Sequence, residues 1–419
     1  MPDDELAFAT IAYQSQLLRR GDLSPVELTQ LYLDRIDAYD EHLNAYLTVT
    51  AERAIASARA AEAAIQGGDW RGPLHGIPVA LKDLFDVVGL PTTAGSIILG
   101  EQIASRDATA ARRLFEAGAI LLGKTQMVEF AFGGAGINHH HGTPWNPWDL
   151  QEHRLPGGSS SGSGVAVSSG LTSAALGTDT GGSVRIPASF DGLVGLKPTF
   201  GRVSNAGVVP LDSTLDSVGP MTRSVGDAAL LYDVIRGPDG EDAATLEQPI
   251  EGPSDDLNLD LTGVRLCVPR EYFWEDVDAE TEAAVRATAQ VFAELGANVD
   301  EISLEPLDRL LEMRQRSAAA GLTVGTLSSV ETCMHFGAEL DARYEDFDPI
   351  IAPRMIDGRN LSAVDYLTLQ RAWEHLRGEA LAALEDVDAL LTPTTPFPAP
   401  TVAETDDAID RATKRQRRE

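Results

Sequence analysis

A run of small residues in the middle of the chain, from Leu155 to Thr199, restricts the possible folds more than any other segment. It reads LPGGSSSGSGVAVSSGLTSAALGTDTGGSVRIPASFDGLVGLKPT. A glycine- and serine-rich run is usually a flexible linker, but a long irregular segment inside a domain is usually functional. In the stretch Thr180–Ser183 the two glycines lack a Cβ, so several backbone N–H groups can surround one point. The run therefore predicts a binding or catalytic site.

Helical and buried apolar segments alternate around this run, which is typical of an α/β fold. Ser24, Pro25 and Glu27 combine an N-cap, a first-turn proline and a capping-box glutamate, and they predict a helix over 25–39. The pattern predicts further helices over 50–66, 107–117, 162–170, 278–295 and 362–385, and strands over 77–81, 119–122, 264–268, 297–303 and 389–391.

Composition suggests how the chain is organised. A Pro-, Gly- and acid-rich stretch at 237–260 predicts a linker. It separates a motif-dense half (1–236) from an αβ continuation (261–400), and a basic tail follows at 401–419. We expect the whole chain, 1–419, to belong to a single domain.

Serine and lysine side chains provide the candidate chemistry. A serine hydroxyl is a weak nucleophile, and a lysine can activate it only where burial or another cation lowers the pKa of the ammonium toward neutrality. Lys82 follows the apolar run Ile77–Leu81, where loss of solvent is expected. The chain has lysine only at positions 82, 124, 197 and 414, so its presence here favours a functional role.

Longer motifs around these residues resemble the amidase signature family. They are GIPVALKDLFDVVGLPTTAGS at 76–96, DATAARRLFEAGAILLGKTQMVEFAFG at 107–133, the run at 155–199, GRVSNAGVVPLDSTLDSVGPMTRSVGDAALL and DALLTPTTP. The resemblance covers the chain from about residue 10 to 400. It implies the family's α/β fold, a mixed central β-sheet covered by helices on both faces. It also implies acyl transfer from an amide to a serine, with no metal and no organic cofactor.

By the same resemblance, Lys82 is the base, Ser159 relays the proton and Ser183 is the nucleophile. The backbone N–H groups of Thr180, Gly181 and Gly182 would form the oxyanion hole, where loss of one donor costs roughly a hundredfold to a thousandfold in rate.

Other residues are expected to support or line this site. The family resemblance implies a cis peptide between Gly158 and Ser159, with Ser160 beside it, and Ser161 stands where the family has glycine. Asp179 and Arg185 flank the nucleophile and predict an ion pair or hydrogen-bond brace. The segment that lines the acyl pocket in relatives contains three apolar residues that core packing explains equally well: Met127, Phe130 and Phe132.

Three further motifs are rejected. Gly118–Thr125 fits a Walker pattern, but its centre is predicted to be a buried strand. Gly158–Gly162 fits a nucleophile elbow, but its histidine partner would be His335 or His375, neither of which has a supporting motif. Adjacent histidines at 139–141 alternate faces in a strand and cannot all bind one metal ion, so an exposed or pocket-lining loop is expected.

Charge and cysteine content limit the partners. With 33 basic and 64 acidic side chains, the formal net charge of −31 repels phosphate backbones and anionic lipids. We therefore expect neither nucleic acid nor membrane as a partner, and the acidic, lysine-poor composition is typical of a halophilic protein.

Cys267 and Cys333 suggest no disulfide framework or zinc site, and Cys267 lies in a predicted core strand. The N-terminus has no targeting pattern, which predicts a cytoplasmic protein.

Three hypotheses remain. The first is an amidohydrolase that cleaves a small-molecule amide to a carboxylate and ammonia or an amine, with a homodimer as a possible assembly. The second is the glutaminase (A) subunit of a glutamyl-tRNA amidotransferase, which passes ammonia to partner subunits. The third is an inactive remnant, because the family resemblance implies further strands beyond TPTTP while this sequence ends at TKRQRRE.

Overall fold

Helices and short strands alternate along the chain. The computed structural model describes residues 3–100, 102–246, 252, 257, 260–307 and 326–405. The elements up to residue 246 are α1 (Asp3–Ala7), α2 (Ile11–Arg20), α3 (Pro25–Leu43), β1 (Tyr46–Val49), α4 (Ala51–Gln66), β2 (Pro78–Lys82), α5 (Thr109–Glu116), β3 (Ile120–Thr125), α6 (Ser161–Ser168), β4 (Ala174–Asp179), α7 (Arg185–Phe190), β5 (Val194–Gly195), β6 (Ser217–Thr222) and α8 (Val225–Ile235). The later elements are β7 (Arg265–Pro269), α9 (Ala279–Glu294), β8 (Asn298–Ile302), α10 (Thr326–Arg343), α11 (Ile351–Arg359), α12 (Ala363–Ala383) and β9 (Ala389–Leu390).

The chain divides into two compact units. The first contains residues 1–255, 338–352 and 399–419, and the second contains 256–337 and 353–398. No helix within the described ranges is long and apolar enough to span a membrane. The prediction of a single domain stays a prediction.

A six-stranded mixed sheet forms the core of the first unit, in the order β1-β3-β2-β4-β6-β5. Strand β2 pairs in parallel with β3 and β4, whereas the other neighbours are antiparallel. The strands β2, β3 and β4 therefore end at one edge, with Lys82, Thr125 and Asp179 as their last residues. Ligands of α/β sheets commonly bind at such an edge.

The predicted capping signals operate at helix α3. The Ser24 hydroxyl accepts the Val26 N–H at 2.9 Å, and the Glu27 carboxylate accepts the Ser24 N–H at 2.9 Å. Together they satisfy two backbone donors that the first turn leaves without helical partners. The predicted helix is confirmed and extends to Leu43.

Helix α6 packs closely on strands β2, β3, β4 and β6 because it contains small residues. A Cβ on Gly162 would lie 2.2 Å from the Ala45 carbonyl oxygen and 2.5 Å from the Gln126 nitrogen, so only glycine fits there. Ser161, which stands where the family has glycine, begins this helix and is buried. The close packing brings the N-terminus of α6 to the ends of strands β2 and β4.

The second unit contains a separate, wholly parallel sheet in the order β8-β7-β9. Its strands and the helices α9 and α12 agree with the predicted elements to within two residues at each end. Cys267 is buried on β7, as expected, Cys333 is partly exposed, and both are free thiols.

Part of the predicted linker is folded into the first unit. The Asp239 carboxylate accepts hydrogen bonds from Thr109 and Ser204, both at 2.6 Å, and Thr245 is buried. The segment 237–246 therefore packs against helix α5 rather than extending as a spacer. Most of 247–259 and the basic residues of the tail, at 414–418, lie outside the described residues.

Candidate active site

Lys82 occupies a fully buried position at the end of β2. Its ammonium donates to the Ser159 hydroxyl at 2.7 Å and to the Thr178 hydroxyl at 3.0 Å. Burial lowers the pKa of Lys82 to about 7, although the carboxylates of Asp216 and Asp179 act in the opposite direction. A sizeable fraction of the side chain is therefore the neutral amine near pH 7.

The two candidate serines lie on loops that meet next to this lysine. The Gly158–Ser159 peptide bond is cis. The N–H of Ser160 donates to the Ser183 carbonyl at 3.2 Å, which joins the loop before α6 to the loop after β4. Ser159 is fully buried, and Ser183 is 7% exposed. The structure thus brings the loops of Ser159 and Ser183 together, and Lys82 contacts the first of these residues directly.

Asp179 braces the loop that carries Ser183. Its carboxylate accepts from the Arg185 guanidinium at 2.8 and 2.9 Å, from the Gly182 N–H at 2.8 Å and from the Val184 N–H at 3.1 Å. Burial raises the pKa of Asp179, but the Arg185 contact and the backbone donors outweigh it and hold the pKa below its usual value. The predicted Asp179–Arg185 ion pair is confirmed. The brace also engages the Gly182 N–H, one of the three predicted oxyanion donors.

Sequence reasoning missed Thr178 and Asp216. Thr178 lies on β4 and accepts from Lys82, while Asp216 immediately precedes β6 and accepts from the Thr180 hydroxyl. Neither strand was predicted, because both are buried along their whole length and show no alternation of apolar and polar residues. The pairing of β4 with β6 could therefore not be predicted from the sequence.

A second buried lysine also escaped functional assignment. Lys124, on β3, lies 2.8 Å from the Asp83 carboxylate, and the two side chains are 0% and 1% exposed. Asp83 follows Lys82 directly, and its carboxylate also accepts the Thr93 N–H at 3.0 Å. The ion pair ties the ends of β2 and β3 together beside Lys82. The rarity of lysine in this chain was a signal that could have identified Lys124.

Three apolar residues predicted to line a pocket lie in a segment that touches the relay serine. The Val128 N–H donates to the Ser159 carbonyl at 3.2 Å. Met127, Phe130 and Phe132 are all buried, and Phe130 packs against Phe347 with ring centroids 5.6 Å apart. Core packing accounts for these contacts, and a role in substrate binding stays a prediction.

The histidines at 139–141 lie in a turn and have carboxylate neighbours. His139 contacts Asp348 at 2.8 Å, and His140 lies 3.2 Å from Glu129. Burial raises the pKa of Glu129 to about 7. Within the described ranges, no group of three His, Cys, Asp or Glu residues is arranged to hold a metal ion. The segment Ile120–Thr125 of the rejected Walker motif is a fully buried strand, as predicted.

Comparison with known proteins agrees with the α/β fold. The family model described as Amidase matches residues 27–417. The chain belongs to the amidase family. The family and its named relatives identify the protein as an enzyme that hydrolyses carbon–nitrogen amide bonds.

Several individual proteins are similar over most of their length. The A subunit of glutamyl-tRNA(Gln) amidotransferase from Chromohalobacter salexigens is 40% identical over 398 residues, which are 91% of this chain and 81% of the relative. The 2-amino-5-chloromuconic acid deaminase of Comamonas testosteroni is 38% identical over 399 residues, 95% of this chain and 82% of the relative. A solved structure described as a vestigial protein complex that reveals the origins of an s-triazine catabolic enzyme has a TM-score of 0.86 and 34% identity, covering 94% and 83% of the two chains.

Proposed function

We propose that the protein is an amidohydrolase that cleaves a carboxylic amide to a carboxylate and ammonia or an amine. Ser183 is the nucleophile, Ser159 the proton relay and Lys82 the base. The contact that carries this proposal is the 2.7 Å hydrogen bond between a fully buried Lys82 and Ser159. A lysine with a pKa near 7 can accept a proton at neutral pH, which an exposed lysine cannot do efficiently.

In the acylation step, neutral Lys82 takes the proton of Ser159 while Ser159 takes that of Ser183. The Ser183 oxygen then forms a bond to the amide carbonyl carbon. When the carbon–nitrogen bond breaks, the proton returns through Ser159 to the leaving nitrogen. A water molecule next attacks the acyl-enzyme and gives a proton through Ser159 to Lys82. The bond between the Ser183 oxygen and the acyl carbon then breaks, and the proton returns through Ser159 to the Ser183 oxygen, which releases the carboxylic acid product.

Backbone donors would stabilise the negative oxygen that forms in both steps. Because the Gly182 N–H is donated to Asp179, we assign the oxyanion hole to the N–H groups of Thr180 and Gly181. Gly182 then supports the site by holding the loop on the Asp179 carboxylate. Its φ of 132° is a conformation that side chains rarely adopt.

A glutaminase subunit of an amidotransferase is the second candidate. The similarity to amidotransferase relatives, up to 40% identity over most of the chain, favours it. The deaminase and the solved structure above are similar at nearly the same level, so identity alone does not separate the two candidates. The second candidate predicts glutamine as the amide and partner subunits that receive the ammonia.

Ammonia release from aliphatic, aromatic and glutamine-type amides tests the proposal, in high salt because of the acidic composition. We expect Ser183→Ala to reduce kcat by at least about a thousandfold, and a Ser159→Ala/Ser183→Ala double variant to be no worse, because the residues act as one unit. Ser169→Ala is the matched control. The Ser169 hydroxyl donates to the Val165 carbonyl one helical turn earlier, away from the candidate site.

Three outcomes separate the candidates. Activity that survives Ser183→Ala would show that the nucleophile is wrong. Glutamine hydrolysis that appears only with copurified partner subunits would favour the amidotransferase candidate. Folded protein that is silent with and without partners would reject both functions.

A further inference from the structure

Strand pairing places Asp216 opposite the start of the loop that carries Ser183. In the antiparallel pair of β4 and β6, Asp179 faces Ser217. The residue after Asp179, which is Thr180, therefore lies opposite the residue before Ser217, which is Asp216. The Thr180 hydroxyl donates to the Asp216 carboxylate at this point.

The other side of Asp216 is held by a tight loop. Its second carboxylate oxygen accepts the N–H groups of Leu211 and Asp212 at 2.9 and 3.0 Å. The Asn205 amide donates to the Asp216 carbonyl at 2.8 Å. With 5% of its surface exposed, Asp216 is fixed in one orientation.

The charge of Asp216 acts on Lys82. Asp216 and Asp179 are the two carboxylates that favour the Lys82 ammonium, and the effect of Asp216 is the larger. Asp179 is neutralised by Arg185, whereas no ion pair to Asp216 occurs among the residues the structure describes. Burial raises the pKa of Asp216 to about 6, the Thr180 hydroxyl and the two N–H groups oppose this rise, and Asp212 adds to it. Asp216 is therefore mostly ionised at neutral pH.

We propose that Asp216 is a positioning residue for the amidase reaction, which fixes Thr180 at the start of the oxyanion loop and keeps a negative charge near Lys82. The inference rests on the proposed function. When Lys82 takes the proton of the serine relay it becomes a buried cation, and a carboxylate nearby stabilises that cation. One side chain thereby supports both the proton acceptor and the loop of oxyanion donors.

Asp216→Asn and Thr180→Val separate these two effects. Asparagine has one acceptor oxygen and cannot serve both Thr180 and the N–H groups of residues 211 and 212. We expect Asp216→Asn to lower kcat by about tenfold to a hundredfold with little change in KM. The acid limb of the pH profile of kcat/KM should also move to lower pH, since the ammonium loses a favourable charge.

Thr180→Val removes the hydrogen bond but leaves the Asp216 carboxyl in place. It should lower kcat and move the acid limb less than Asp216→Asn does, and Thr180→Ser should retain more of kcat than Thr180→Val. Asp191→Asn is the matched control, because Asp191 is a buried carboxyl of the same unit that is not among the charges acting on Lys82. It should leave the pH profile in place.

The outcomes are decisive in each case. An Asp216→Asn enzyme that folds and keeps the wild-type acid limb overturns the inference, and so does a Thr180→Val enzyme with wild-type kcat. If Asp216→Asn does not fold, the comparison of Thr180→Val with Thr180→Ser decides. A wild-type enzyme without amidase activity would instead reject the proposed function, which the amide panel reveals before any variant is made.

Discussion

Replacing Lys124 by methionine should destabilise the first unit by about 3 to 5 kcal/mol. The Lys124 ammonium lies 2.8 Å from the Asp83 carboxylate, and neither side chain reaches solvent. Methionine fills much of the lysine volume but leaves the carboxylate charge buried without a cation. Within the described residues, the donors that remain for the Asp83 carboxylate are the N–H and hydroxyl of Thr93, and both contact Oδ2. The Oδ1 atom, which faces Lys124 in the wild type, therefore loses its partner.

A double variant isolates the charge effect. Lys124→Met/Asp83→Asn removes both charges and leaves an amide that can still accept from Thr93, so it should recover most of the loss. Arg112→Met is the matched control, because its ion pair with Glu116 is exposed, with side chains 48% and 62% accessible, and exposed pairs contribute little.

Pulse proteolysis in urea, with detection of peptides from the first unit, measures the free energy of unfolding of that unit. The loss of stability that Lys124→Met causes should be the same at low and high salt, since a buried pair is screened weakly. The reasoning is refuted if Lys124→Met costs no more than Arg112→Met, or if the double variant is less stable than the single one.

Two further results are expected. The kcat/KM of the wild-type enzyme should rise with pH and reach half its plateau near the Lys82 pKa of about 7, and a profile that is flat between about pH 5.5 and 8.5 would contradict Lys82 as the base. Asp191→Asn should raise the melting temperature more at pH 7 than at pH 4. Burial raises the folded-state pKa of Asp191 well above its usual value, so the wild type loses stability as the pH rises from the unfolded-state pKa toward the folded-state pKa. Equal changes in melting temperature at both pH values would contradict this reasoning.

The parts of the fold that could be predicted depend on local chemistry. The capping residues Ser24 and Glu27 specify the start of α3 without any distant contact. The apolar run before Lys82 predicted a buried strand that ends next to the lysine, and the structure has this strand with Lys82 as its last residue. Long helices such as α9 and α12 were also predicted closely, because their signals lie within the helix and its caps.

The parts that were missed depend on strand pairing. Strand β4 consists mostly of small residues and is wholly buried, and β6 contains Gly219 and Pro220. Neither strand therefore has the alternation of apolar and polar residues or the composition that indicates a strand. Asp216 meets Thr180 only because these two strands pair in one register. A single sequence shows the residues of such a contact but not the register that joins them.

The scarcity of lysine nevertheless contained more information than the motifs alone provided. Among the described lysines, Lys82 and Lys124 are completely buried and Lys197 is partly buried, whereas arginine carries most of the positive charge of the chain. A guanidinium stays charged at every accessible pH and presents five donors, so it cannot replace a neutral amine beside Ser159. A single compact ammonium likewise suits the enclosed carboxylate of Asp83. In a chain that otherwise uses arginine, a buried lysine therefore marks a position where size or deprotonation matters, and this reasoning identifies Lys124 as well as Lys82.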